Sequence, residues 1–198
     1  MIKVLNLYAG IGGNRKLWKD VQVTAIELNP KIAKVYQDFF PDDIVLTCDA
    51  HEYLLRHYKE YDFIWSSPPC PTHSKLNFSM KLKRYPSMKL YQEILFLKSW
   101  FKGKWVVENV KPYYIPLIKQ SVELGRHMFW SNFIIVKKEF INIDVARSTS
   151  EELSKDLGFP IPECQKARLL LRNCIKPEMG LHVFNCAFRS KQVQLVGL

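Results

Sequence analysis

Residues 2–13 read IKVLNLYAGIGG: an apolar run with Lys3 as its one charge gives way to Gly10, Gly12 and Gly13. A short apolar run closed by glycines is the pattern of a buried strand ending in a tight turn. The following NRKLW (14–18) is compatible with a helix, so strand, turn and helix are expected in that order. The alternation then repeats. VQVTAIEL (21–28) reads as a second strand, Asn29-Pro30 as a boundary, and KIAKVYQDFF (31–40) carries helical apolar spacing. DDIVLTCDA (42–50) reads as a third strand leading into a short helix through HEYLLRHY (51–58). YDFIWSS (61–67) is a fourth strand, stopped by Pro68-Pro69. An amphipathic helix over 87–101 precedes the strand KWVVENV (104–110). Strands alternating with helices predict an α/β fold with a Rossmann-like, doubly wound, mostly parallel sheet covered on both faces. Ligands of such sheets bind beyond the carboxyl ends of the strands.

Past residue 110 the pattern predicts a helix through IPLIKQSVEL (115–124), an aromatic segment (126–140), a polar stretch (142–156) and a closing helix over 164–172. RSTSEELSKDLGFPIPE (147–163) concentrates Ser, Thr and charge before two prolines, which suits a surface excursion. At 198 residues, one domain spanning 1–198 is expected. A net charge of +10 suits a polyanionic partner, because cations that neutralise phosphates release counterions. No stretch reaches the roughly 20 apolar residues of a membrane span, so no membrane association is expected. A soluble intracellular protein, cytoplasmic or nucleoid-associated, fits this composition. Five cysteines without a C-x-x-C pair point to free thiols, with neither a disulfide framework nor a metal site.

Chemistry gathers at the strand ends. The turn Ala9-Gly10-Ile11-Gly12-Gly13 lets a cofactor approach the backbone, and Glu27 at the end of the second strand can accept hydrogen bonds from a ribose diol. Asp49 suits either an adenine amino group or a helix N-cap. Cys70, set between prolines directly after a strand, is a nucleophile in rigid presentation or a buried strand-end thiol. Glu108 ends an apolar strand and is either a solvated carboxylate or, if protonated, a donor to a bound base.

LNLYAGIGG (5–13), AIELNP (25–30), CDA (48–50), SSPPCPTHS (66–74) and VVENV (106–110) resemble, in order and spacing, the motifs of the cytosine-5 DNA methyltransferase family. That resemblance implies S-adenosylmethionine as cofactor, held by Tyr8, Ala9, Gly10, Ile11, Gly12, Gly13, Glu27, Leu28, Asp49, Ala50 and Pro68. It implies Cys70 as the nucleophile adding to carbon 6 of a flipped cytosine, and Glu108 as the group that stabilises charge on the ring. LRNCIKPE (171–178) resembles the family's last motif, so a segment over 166–185 is expected to return to the cofactor site through Asn173 and Cys174. GRHMFWSNF (125–133) is similar to the segment that contacts the target base, with Arg126 as the candidate and Phe129, Trp130 and Asn132 as structural residues. The basic stretch over 75–89, with Lys75, Lys81, Lys83, Arg84 and Lys89 around Phe78 and Tyr85, resembles the family's loop that closes over DNA.

Two departures stand out. Asn6 occupies the place of a common acid, and the segment over 134–165 leaves room for only a reduced target-recognition region. A monomer or weak dimer is expected. RNA cytosine-5 methylation is the alternative activity, and a half-enzyme or accessory DNA-binding subunit that needs a separate recognition partner is the alternative from another class.

Overall fold

The computed structural model describes residues 1–74, 85–141 and 143–188. Its strands are β1 (Ile2–Leu7), β2 (Val21–Ile26), β3 (Ile44–Leu46), β4 (Phe63–Ser66), β5 (Lys104–Val110), β6 (Val122–Leu124) and β7 (His127–Ser131). Its α-helices are α1 (Pro30–Phe39), α2 (Ala50–His57), α3 (Lys89–Trp100), α4 (Ser150–Leu157), α5 (Ala167–Asn173) and α6 (Pro177–Ala187). The strands form one sheet in the order β3-β2-β1-β4-β5-β7-β6. Neighbours from β3 through β5 pair parallel, while β7 pairs antiparallel with both β5 and β6. The fold is therefore the expected mostly parallel α/β sheet, with β7 the strand that runs against the rest.

Period-2 alternation divides the apolar side chains between two layers. Val4, Val23, Phe63, Trp65, Val106 and Phe129 face one way, onto Trp18 and the Met179, Val183 and Phe184 side of α6. Leu5, Ile64, Val107 and Trp130 belong to the opposite layer, with Leu54 of α2 and Leu90, Ile94 and Leu97 of α3. Strand order reverses between β1 and β4, the place where an open α/β sheet leaves a crevice beyond its carboxyl edge. Among the described residues, no helix is long and apolar enough to cross a membrane.

Several local expectations are corrected. Residues 14–18 form turns rather than a helix: the amides of Arg15 and Lys16 both donate to the Gly12 carbonyl, and Arg15 turns its guanidinium to the Trp18 carbonyl and to Asp43. The third strand shrinks to Ile44–Leu46 at the sheet edge, where Asp43 is taken up by Arg15 and Tyr36. The helix expected over 115–124 is absent. The chain runs irregularly past Pro116 and then enters β6, because Gly125 at φ +56° makes the tight turn that pairs β6 with β7.

The polar excursion holds α4, opened by a capping box between Thr149 and Glu152 and closed by Gly158 at φ +64°. Its Leu153 and Leu157, with Phe159, pack on Ile11 and Leu171, so this part of the chain builds a third apolar cluster instead of lying in solvent. The closing helix begins at Ala167, and a further helix, α6, starts at Pro177 with the proline in its first turn.

Candidate active site

The turn after β1 is held at both ends. Tyr8 and Gly10 both sit at φ +56°, and the Ala9 amide donates to the Ile26 carbonyl of the neighbouring strand at 3.0 Å. The glycines differ in what surrounds them. A Cβ on Gly12 would lie 2.3 Å from the Phe40 ring, and one on Gly13 would lie 2.5 Å from the Ile175 carbonyl oxygen and 2.9 Å from Cys174 Cβ. A Cβ on Gly10 would meet nothing within 4 Å. Gly12 and Gly13 thus serve close packing, and Gly10 is the one that opens backbone to a ligand. Ile11 points into the α4–α5 cluster and is buried.

Glu27 follows β2. Its Oε2 accepts from the Gly10 amide at 3.1 Å and its Oε1 from the Asn29 amide at 2.9 Å. Burial pushes the Glu27 carboxyl above its ordinary value, and those backbone amides pull the other way. Each oxygen keeps a lone pair for a further donor. Leu28 beside it is 66% exposed. Asp49 caps α2 by accepting from the Glu52 amide at 3.0 Å, which holds its carboxyl below the usual range. Its other oxygen lies 3.7 Å from Lys89 Nζ, in the first turn of α3. Ala50 is buried at the start of α2. Asn6 pairs with Asn14 through both amides, so its side chain is taken up inside the fold.

Beyond β4 the chain passes through Pro68-Pro69 to Cys70. Asn109 Nδ2 donates to the Pro68 carbonyl at 2.8 Å, fixing this loop to β5. The amides of His73 and Ser74 return to the Cys70 carbonyl at 2.9 and 3.0 Å, so Cys70 opens a tight turn. His73 Nδ1 lies 2.6 Å from the Tyr114 hydroxyl, which Tyr91 of α3 reaches at 3.1 Å. Burial pushes the Cys70 thiol up, the Glu108 carboxylate pushes it the same way, and Arg126 and Arg172 pull it back. Cys70, Glu108 and Arg126 therefore stand within electrostatic reach of one another, although β4, β5 and the β6–β7 turn supply them separately.

Arg126 also donates through Nη2 to the Arg172 carbonyl at 2.6 Å and to the Cys174 carbonyl at 3.4 Å. It ties the β6–β7 turn to the segment after α5, which brings Cys174 against Gly13. Asn173 ends α5 and is exposed. Phe129 is core, Trp130 donates to the Ile118 carbonyl, and Asn132 braces residues 103–105. Of the basic stretch, residues 75–84 lie outside the described residues; Tyr85 is exposed and Lys89 faces Asp49.

Two groups escaped the sequence reading. His127 Nδ1 lies 2.6 Å from Glu108 Oε1, with both side chains buried. Glu93 of α3, fully buried, accepts from the Tyr8 hydroxyl at 2.5 Å and from the Ser66 hydroxyl, with His51 Nδ1 3.2 Å away. Burial and Glu93 together hold the Tyr8 hydroxyl well above its ordinary value. The available signal for Glu93 was a carboxylate on the apolar face of the predicted 87–101 helix. For His127 it was a histidine in an apolar strand, whose partner only the β5–β7 register reveals.

Residues 2–113 match the family described as C-5 cytosine-specific DNA methylase. No curated protein matches the chain. Similar solved structures include a conserved hypothetical protein from Streptococcus pyogenes, 15% identical, with a TM-score of 0.46 over 66% of this chain and 84% of that one. A DNMT2 mutant from Spodoptera frugiperda is 24% identical, with a TM-score of 0.41 over 56% of this chain and 36% of that one. An S-adenosylmethionine-dependent methyltransferase from Agrobacterium tumefaciens is 14% identical, with a TM-score of 0.41 over 57% of this chain and 40% of that one. These are distant likenesses, and the assignment rests on the sequence match. Because that match spans more than half of the chain and takes in the glycine turn, Glu27, Asp49, Cys70 and Glu108, the chain belongs to the C-5 cytosine-specific DNA methylase family.

Proposed function

We propose that this chain methylates carbon 5 of cytosine in DNA, using S-adenosylmethionine and a covalent bond from Cys70 to the base. The observation that carries the reading is the convergence of Cys70, Glu108 and Arg126 at the carboxyl edge of β4 and β5, beside the Gly10 turn. The residues present fit the cofactor. Gly10 leaves open ground where a Cβ would meet no atom, and Glu27 next to it has acceptor capacity for a ribose. Tyr8 to Gly10, Glu27, Leu28, Asp49 and Pro68 would hold it, with Gly12, Gly13 and Cys174 shaping the turn from behind. When bound, S-adenosylmethionine supplies a methyl group activated by a sulfonium.

Carbon 5 of cytosine is a poor nucleophile, and the chain's residues answer that. The Cys70 thiolate adds to carbon 6, and the ring electron pair moves toward ring nitrogen N3. Glu108 gives N3 a proton or a strong hydrogen bond as charge collects there. Arg126 and Arg172 favour the thiolate against the burial and the Glu108 charge that oppose it. Once carbon 5 carries the methyl group, water takes its proton, the electron pair of that C–H bond forms the carbon 5–carbon 6 double bond and expels the thiolate, and N3 returns its proton to Glu108. Asn109 keeps Cys70 in register by holding the Pro68 carbonyl. Because a stacked base is inaccessible, the target nucleotide must be rotated out at a cost of a few kcal/mol. The cationic residues of the 75–89 stretch would offset that cost through phosphate contacts.

The test is incubation with labelled S-adenosylmethionine and duplex DNA, single-stranded DNA or RNA, followed by nucleoside mass spectrometry, with Cys70→Ser in parallel. Label in 5-methyldeoxycytidine that depends on Cys70 supports the reading. Label confined to RNA transfers the assignment to RNA methylation. Cofactor binding without transfer to any of the three overturns the reading in favour of a subunit that needs a recognition partner.

A further inference from the structure

The β5–β7 ladder places Glu108 opposite Phe129, and His127, two residues before Phe129, emerges on the same face of the sheet. Backbone register therefore sets the 2.6 Å approach of His127 Nδ1 to Glu108 Oε1. Both side chains are nearly sealed, at 6% and 8% exposure. A buried carboxylate without a partner is costly, and a permanent cation would stabilise it while never exchanging its proton. An imidazole does something different: its Nδ1–H donates to the carboxylate at a fixed angle without adding a permanent charge.

We infer that His127 is a positioning residue that donates Nδ1–H to Glu108 and so fixes the orientation in which the Glu108 carboxyl meets the base. The inference rests on the role given to Glu108 above. With Nδ1–H donating to Oε1, the other carboxyl oxygen is left to face the ring. In the complex with the base, that oxygen carries the proton passed to N3. As the Cys70 sulfur–carbon 6 bond forms, the Oε2–H bond breaks and the N3–H bond forms. The carboxylate left behind keeps the Nδ1–H hydrogen bond. Elimination of the thiolate reverses both proton movements, so the pair ends with the proton it began with.

The charged and titratable groups around this pair come from every neighbouring element. Cys70 follows β4, Arg126 precedes β7, and Arg172 and Cys174 come from α5 and its end. Lys176 and Asp156, which line the cavity beside His127, are bonded to each other at 2.6 Å.

Two measurements on the chain of residues 1–198 test this. Nitrogen-15 NMR of labelled histidines requires no activity. His127 is expected as the Nδ1–H form in the wild type and to revert to Nε2–H in Glu108→Leu. A wild-type Nε2–H form, or a pattern indifferent to Glu108→Leu, overturns the inference. The second measurement is methyl transfer in His127→Leu and His127→Gln, of which only the glutamine keeps a donor. Expected are a kcat lowered at least about tenfold in His127→Leu, recovery of most of that loss in His127→Gln, and an unchanged KM for S-adenosylmethionine in both. A wild-type kcat in His127→Leu, or an equal loss in the two variants, would show that His127 only fills space. A wild-type chain that methylates nothing defeats the proposed function, while the NMR pattern still decides whether His127 donates to Glu108.

Discussion

Replacing Gly13 with alanine separates packing from ligand binding in the turn after β1. The new methyl would stand 2.5 Å from the Ile175 carbonyl oxygen and 2.9 Å from Cys174 Cβ. The first of these is backbone, and it cannot retreat freely. Ile175 is buried, Arg126 grips the Cys174 carbonyl, and Trp18 Nε1 donates to the Gly180 carbonyl at 3.2 Å one turn into α6. Overpacking costs roughly 1–3 kcal/mol, and a clash with anchored backbone belongs near the upper end, about 3 kcal/mol. For a chain of this length each kcal/mol lowers Tm by about 2–4 °C, which gives a fall of about 6–12 °C in calorimetry.

Gly10→Ala is the control. It meets no atom within 4 Å, so its cost is the left-handed φ alone, about 1–2 kcal/mol. Its methyl would enter the ground proposed for the cofactor, and titration calorimetry should show S-adenosylmethionine binding at least about tenfold weaker, a loss of about 1.4 kcal/mol. A Gly13→Ala protein that melts with the wild type would refute the seating of the C-terminal segment on this turn. A Gly10→Ala protein with undiminished affinity would refute the assignment of Gly10 as the cofactor's point of approach.

Glu108→Gln removes a charge that raises the Cys70 thiol, so iodoacetamide should alkylate Cys70 faster at a fixed, mildly alkaline pH while methyl transfer falls. The sign follows for stability too: a thiol held above its unfolded value contributes stability that is lost as pH rises through the folded value, and urea titrations at rising pH should show this loss shrink in Glu108→Gln. Asn109→Ala strands the buried Pro68 carbonyl, and chemical denaturation should report a loss of about 1–3 kcal/mol together with a lower kcat. Glu93→Ala leaves the Tyr8 and Ser66 hydroxyls without their acceptor, for an expected loss of about 3–5 kcal/mol in urea unfolding. Each alanine among Lys81, Lys83 and Arg84 that removes a phosphate contact should reduce the salt slope of DNA affinity by about 0.9, measured by fluorescence anisotropy across salt concentrations.

Local pattern was enough for the α/β alternation because its signals are short in range. The run ending at Gly10, the Asn29-Pro30 boundary and the prolines after Ser67 each declare an element within a few residues. The same holds for β5, whose predicted bounds at 104 and 110 are those observed. Where tertiary contacts compete with local preference, the pattern misleads. Residues 14–18 are helix-compatible, yet Arg15 is more favourably used on Asp43 and Trp18 is drawn beneath the sheet. Residues 122–124 have helical spacing, yet β7 offers them a ladder across the Gly125 turn.

The amino-acid sequence by itself determined the order of strands and helices from β2 through β5, the family, and the placement of Cys70 and Glu108 at strand ends, since motif and period lie along the chain. Only the tertiary structure decided which glycine is open, which carboxylate is buried, and what Glu108 touches. Gly13 meets Ile175, Tyr8 meets Glu93, and Glu108 meets His127 across separations of 162, 85 and 19 residues. Those meetings are set by strand order, register and the return of the chain after α5, none of which any local stretch of residues encodes.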